Sequence, residues 1–154
     1  MKRVEQATAH IEENIIGKSV LEVACGCAEF SMYAANIAKS VDGIDLDCLR
    51  LPPQARKTEG FTFTLMDATN MAFAAESFDT VVMYNAVGHL GAVLEKVLRE
   101  CFRVIKPGGR IFVISSFRMD MPIIEEKLLT LLEKRKIKYE KENDGIFTYV
   151  KIGG

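Results

Sequence analysis

Five short apolar runs, VLEVA, SVDGIDL, FTFTLM, FDTVVMYNAV and RIFVISS, recur along this chain, and most are separated by stretches with helical spacing. Strands that alternate with helices pair in parallel. A parallel neighbour is reached only by a crossover, and the crossing helices then cover both faces of the sheet. The chain is therefore expected to be α/β, a single domain over residues 1–154 that opens with a short helical segment at 1–17.

The expected elements follow from periodicity. Val4 to Ile16 reads as a leading helix with Val4, Ala7, Ile11 and Ile15 on one stripe. Strands are expected at 19–24, 40–46, 61–66, within 78–87 and at 110–116, with helices at Ala28 to Lys39 and from Leu94 to Ile105. The run at 78–87 is apolar enough to be buried on both faces. Pro52-Pro53 interrupts a helical stretch after the second strand, and Lys106-Pro107-Gly108-Gly109 closes the helix before the fifth. Asp120 and Pro122 suit the start of an amphipathic helix at Ile123 to Lys136. A hairpin turning at Asp144-Gly145 adds an antiparallel edge.

In open α/β sheets, ligands bind beyond the carboxyl ends of the strands. Those ends carry Glu22 and the Ala24–Ala28 turn, then Asp45 and Asp47, then Asp67-Ala68-Thr69-Asn70, then Asn85 with His89 beyond it. No lysine or arginine is expected among them. Neither G-x-G-x-x-G nor G-x-x-x-x-G-K-[ST] occurs, which argues against a pyrophosphate. Carboxylates instead suit hydroxyls, amines and cations, and Asp45 stands 19 residues after Gly26, where an acid can grip a ribose diol. The ligand expected is a nucleoside bearing ammonium or sulfonium charge.

These residues resemble a known family. Over about residues 18–116 the chain is similar to class I S-adenosylmethionine-dependent methyltransferases, of the small-molecule kind sometimes called methyltransferase type 11. VLEVACGCAEF, VDGIDLD, LMDATNMAFAAESFDTVVMYNAVGHL and LRECFRVIKPGGRIFVIS match its motifs in order. The resemblance implies a Rossmann-like doubly wound sheet of seven strands in the order 3-2-1-4-5-7-6, with strand 7 antiparallel. It implies S-adenosyl-L-methionine as cofactor, held by Glu22, Ala24, Gly26, Asp45, Leu46, Asp67, Ala68 and Asn85, and a small-molecule methyl acceptor. Asp45 would hold the ribose hydroxyls, Asp67 the adenine amino group, the Ala68 amide a ring nitrogen, and Glu22 the ammonium of the methionine moiety. Met71 would touch the adenine face, and His89, where acceptors approach, is the candidate general base.

The chain departs from the family's Gly-x-Gly-x-Gly at Ala24 and Ala28, and Ala28 is expected to add a methyl where backbone and ligand run close. No Asn-Pro-Pro-aromatic sequence follows the fourth strand, which argues against methylation of adenine or glutamine amide nitrogens. Each acid also has a structural alternative: Glu22 as a cap for backbone amides, Asp45 or the better-placed Asp47 as a helix cap, Asp67 as a turn former. Cys25 reads as a small buried hydrophobe and Cys27 as a turn residue, since no second ligand pair accompanies them for a metal. His10 is expected to be solvated.

The net charge of −1 gives no general attraction to nucleic acid or anionic membrane. No run approaches the ~18 apolar residues of a membrane span. The N-terminal stretch MKRVEQATAHIEEN has a basic start but no apolar signal core behind it, so the cytoplasm is expected, with the four cysteines reduced. A second copy or a partner subunit is expected to complete the acceptor pocket. The alternative function is a non-catalytic cofactor-binding or partner-regulating subunit.

Overall fold

The computed structural model describes residues 2–153; Met1 and Gly154, the ends of the expected domain, lie outside them. Strands β1 (Ser19–Val23), β2 (Ser40–Asp45), β3 (Phe61–Leu65), β4 (Phe78–Tyr84), β5 (Ile105–Ser115), β6 (Tyr139–Asn143) and β7 (Thr148–Ile152) form one sheet. Its order is β3-β2-β1-β4-β5-β7-β6. The first five strands pair in parallel, and β7 runs antiparallel to both β5 and β6. Both the order and the antiparallel strand are those expected. The helices are α1 (Arg3–His10), α2 (Glu29–Ala34), α3 (Pro53–Lys57), α4 (Leu94–Val104) and α5 (Leu129–Lys134).

The sheet divides the core by the period of two. Leu21, Val23, Val81, Met83, Ile111 and Val113 join Leu94, Val97, Leu98, Cys101 and Val104 of α4 in one buried layer. Val20, Val82, Phe112 and Ile114 join Val4, Ala7, Phe30 and Ala34 in the other. Each fully buried Leu, Ile or Phe in these layers contributes about 1.5–3 kcal/mol. β4 is buried on both faces, as its composition indicates.

Several boundaries differ from expectation, each for a local reason. The leading helix ends at His10, and a tight turn at Glu12–Asn14 follows, although all four stripe residues are buried. α2 stops at Ala34, and Ile37 is exposed. Pro53 does not interrupt a helix; it opens α3, where its missing N–H costs nothing and its φ is already helical. Lys106 to Gly109 lie inside β5, bulged opposite Asp79 alone between the pairs Phe78–Ile105 and Thr80–Arg110. The C-terminal helix begins with a tight turn at Arg118–Asp120 and wider helical turns at Ile123–Leu128. His10 is not simply solvated. Its Nε2 lies 2.9 Å from Glu142 Oε2 and its ring stacks on Tyr149 at 3.9 Å, joining α1 to the β6–β7 hairpin.

Strand order reverses between β1, which leads outward to β2 and β3, and β4, which leads to β5. A ligand crevice is expected at that switch point. Among the described residues no helix is long and apolar enough to cross a membrane.

Candidate functional site

A cleft of about 450 Å³ opens at the switch point, beyond the carboxyl ends of β1 to β4. Of the residues assigned a role by sequence, Glu22, Ala24, Gly26, Asp45, Leu46, Asp67, Ala68, Asn85 and His89 border it, and Met71 does not. The floor is the β1–α2 turn. Ala24, Gly26 and Ala28 have φ of 56°, 54° and 59°, so every second residue is left-handed. That conformation is free for glycine and costs an L-residue about 1–2 kcal/mol, which gives a physical basis for glycine at these positions. The turn is held by Ala28 N–H donating to Cys25 O (2.7 Å) and Cys25 N–H donating to Ile44 O (3.0 Å).

The expected intrusion of Ala28 is corrected. Its methyl is fully buried in the layer with Phe30 and Val20, and Ala28 does not border the cleft. Left-handed geometry turned the side chain into the protein, so the substitution strains the turn without filling the ligand space.

Glu22 stands on the α1–α2 side of β1 with 1 % of its surface exposed. Its Oε1 accepts Ser31 N–H at 3.1 Å and Ser31 Oγ–H at 2.7 Å, the capping contact weighed from sequence. Burial pushes its carboxyl up to about 8, against the lowering effect of the Ser31 bonds. The sign of the resulting linkage is definite. Between about pH 4.5 and 8 the folded carboxyl keeps a proton that the unfolded chain releases, so folding stability falls as pH rises. The slope reaches at most about 1.4 kcal/mol per pH unit. Glu22→Gln, whose amide oxygen can still accept both Ser31 bonds, is expected to remove that slope in denaturant titrations. Equal pH dependence in the two proteins would refute the assignment.

Asp45 is half-buried, and its Oδ2 accepts Gly26 N–H at 2.8 Å, tying the tip of β2 to the floor of the cleft. Its neighbour Leu46 is 74 % exposed at the rim. Asp47 does not cap a helix; its Oδ1 accepts Leu49 N–H at 3.0 Å and winds the turn before α3. Asp67 is exposed, and its Oδ1 takes both Thr69 N–H (2.8 Å) and Thr69 Oγ–H (2.7 Å), bonds that hold its carboxyl below the usual range. Asn85 is left-handed at φ 51°, and its Oδ1 accepts Ser116 N–H at 2.8 Å, locking the ends of β4 and β5 together. His89 sits exposed in the tight turn Val87–Val93.

Arg50, Tyr84 and Phe117 are among the further residues that border the cleft. Arg50 contradicts the expectation that no cation would converge there: its guanidinium lies over Gly26. Tyr84 ends β4, and burial pushes its hydroxyl up to about 12. Phe117 follows β5 and is 49 % exposed. Tyr84 and Phe117 could have been found from their strand ends. Met71, expected at the cleft, is instead packed in the α4 layer, and Met66 borders the cleft. Cys25 and Cys27 both border the cleft, and burial pushes the Cys25 thiol up. Among the described residues no group of three or more His, Cys, Asp or Glu is placed to hold a metal ion.

Fold and cleft together define an open, doubly wound α/β protein with an acid-rimmed ligand site at its switch point. The model of a family described as a methyltransferase domain matches residues 21–113, and the chain belongs to that family. It is 33% identical over 102 residues to the phthiotriol/phenolphthiotriol dimycocerosates methyltransferase of Mycobacterium leprae, covering 64% of this chain and 37% of the relative. It is 30% identical over 138 residues to the fatty-acid O-methyltransferase of Mycolicibacterium smegmatis, covering 84% and 50%. The chain thus spans half or less of these relatives' length. The crystal structure of a SAM dependent methyltransferase from Aquifex aeolicus superposes with a TM-score of 0.79 at 18% identity, covering 97% of this chain and 88% of that one.

Proposed function

We propose that the chain transfers a methyl group from S-adenosyl-L-methionine to a small-molecule acceptor. The observation that carries this is the convergence of Glu22, Asp45 and Asp67 around a glycine floor. The residues fit the cofactor. A backbone without a side chain at Gly26 admits a close ligand, the acids suit ribose hydroxyls, an adenine amino group and an ammonium, and Ile44, Leu46, Met66 and Ala68 supply apolar surface for a base. In this assignment Asp45 binds the ribose, Leu46, Asp67 and Ala68 the adenine, and Glu22, Ala24 and Gly26 the amino-acid tail, with Asn85 closing the site toward the acceptor.

When bound, the cofactor supplies an electrophilic methyl carbon on a sulfonium sulfur. The protein's work is then alignment and exclusion of water, which needs few obligatory side chains. His89 would accept the proton that the acceptor heteroatom gives up when it is methylated, the carbon–sulfur bond breaking so that the sulfur leaves as the neutral thioether of S-adenosylhomocysteine. His89→Ala is expected to lower kcat roughly 100-fold without weakening S-adenosylhomocysteine binding. An unchanged kcat would remove His89 from the chemistry. Titration calorimetry with S-adenosylhomocysteine tests the assignment as a whole: one-to-one binding is expected, and no binding overturns it. Binding without turnover over a broad acceptor panel would favour the non-catalytic alternative.

We infer that the acceptor is apolar, an inference supported by Phe117 in the cleft wall, by 86 % exposed Met119 two residues on, and by relatives named for fatty acid and dimycocerosate substrates. Those two residues, with Leu46 and 89 % exposed Leu49, also favour a second copy or partner subunit over the mouth. Light scattering on the purified chain distinguishes monomer from dimer. The cytoplasm is the proposed compartment, on the strength of four free cysteines.

A further inference from the structure

Arg50 reaches the cleft because of how the β2–α3 turn is wound. Asp47 Oδ1 accepts Leu49 N–H, Leu51 N–H donates to Cys48 O at 3.1 Å, and Pro52 and Pro53 then start α3. The turn sends the Arg50 side chain across onto the β1–α2 floor. A Cβ added at Gly26 would lie 3.0 Å from Nη1, 3.3 Å from Cζ and 3.6 Å from Nη2, so the whole guanidinium group covers that glycine. Among the described residues Arg50 makes no hydrogen bond or ion pair with another side chain. It is also the single arginine or lysine on a cleft bordered by Glu22, Glu29, Asp45, Asp47 and Asp67.

A guanidinium is a rigid fork of donors matched to a planar pair of oxygens. This inference rests on S-adenosylmethionine being the ligand. Of the groups that ligand carries, the ribose, the adenine, the ammonium and the sulfonium suit acids or apolar surface. Its α-carboxylate alone suits a fork of donors, and Gly26 lies in the turn assigned to the amino-acid tail. We propose that Arg50 recognises the α-carboxylate of the cofactor, so that this chain selects nucleosides with an intact amino-acid tail. The guanidinium withdraws from Gly26 far enough to admit the tail and pairs with its carboxylate.

The test compares two ligands by calorimetry on the full chain. S-adenosylhomocysteine carries the carboxylate, and 5′-methylthioadenosine has the same nucleoside and thioether without the tail. Arg50→Ala is expected to weaken S-adenosylhomocysteine roughly 10- to 100-fold while leaving 5′-methylthioadenosine within about twofold. Arg50→Lys, a point charge without the fork, should fall between wild type and alanine for the first ligand alone. Equal losses for both ligands, no loss, or tighter binding of either would overturn the proposal; tighter binding would mean that the side chain merely occludes the floor. Wild-type protein that binds no S-adenosylhomocysteine overturns the cofactor assignment together with this proposal. Wild-type binding without selectivity at Arg50 overturns this proposal alone. Because Arg50 is an exposed turn residue, thermal transitions of the variants close to wild type confirm that affinity rather than folding is being read.

Discussion

Replacing Asp45 by alanine is expected to weaken S-adenosylhomocysteine binding by about 100-fold or more. Two losses combine. The carboxylate holds Gly26 N–H at 2.8 Å and so keeps the left-handed floor in place. It is also the acid assigned to the ribose diol, where each charge-assisted bond contributes about 1.5–3 kcal/mol. Asp45→Asn separates the two roles. The amide oxygen can still accept the Gly26 bond, while one charged acceptor for the hydroxyls is lost. If Asp45 binds ribose, asparagine lowers affinity about tenfold with little change in thermal stability. If the acid only ties the floor to β2, asparagine binds like wild type. Calorimetry on both variants decides between these outcomes.

Gly88→Ala is expected to lower folding stability by about 3 kcal/mol, roughly 10 °C in Tm for a chain of this size. A methyl built on Gly88 runs into Oδ1 of Asp120 and lies 3.3 Å from its Cγ. The carboxylate cannot swing away freely. Asp120 is buried, its Oδ2 accepts Ser115 Oγ–H at 2.5 Å, and that same hydroxyl accepts Phe117 N–H at 3.1 Å. Moving it breaks the link between the end of β5 and the turn that follows, or displaces the turn that carries His89. Asp120→Ala in the same chain removes the obstacle, so the double variant should be more stable than the two single losses added together. Simple additivity would show that Gly88 and Asp120 do not collide. The close approach also means that the turn carrying His89 and the chain at Phe117 are braced against each other through one carboxylate.

The parallel sheet and its antiparallel edge were legible because five apolar runs, their crossovers and the Asp144-Gly145 turn are local signals. The acids of the cleft were legible because a strand's last residues must lie at the sheet's carboxyl edge. Arg50 was not, since its position depends on Pro52 and Pro53 starting a helix rather than interrupting one. That error extended the helical pattern over a turn that folds back. Ala28 was misplaced for a different reason: a motif fixes that a residue is left-handed, not which way its methyl then points. His10 pairs with Glu142, 132 residues away, and Met71 is drawn into the core by α4. No short-range pattern encodes either contact.

The protonated state of Glu22 bears on how the cleft exchanges with solution. Near neutral pH this carboxyl carries a proton because it is buried, so the cleft offers no standing negative charge at its deepest acid. An ammonium seated against it would stabilise the carboxylate and drive that proton out, making uptake of the ligand a cation-for-proton swap. The net charge of the deep cleft would then stay constant as it fills. Apparent affinity would climb as the medium becomes more alkaline, up to the point where Glu22 ionises unaided. The acid that weakens the fold at high pH would there hold its ligand best.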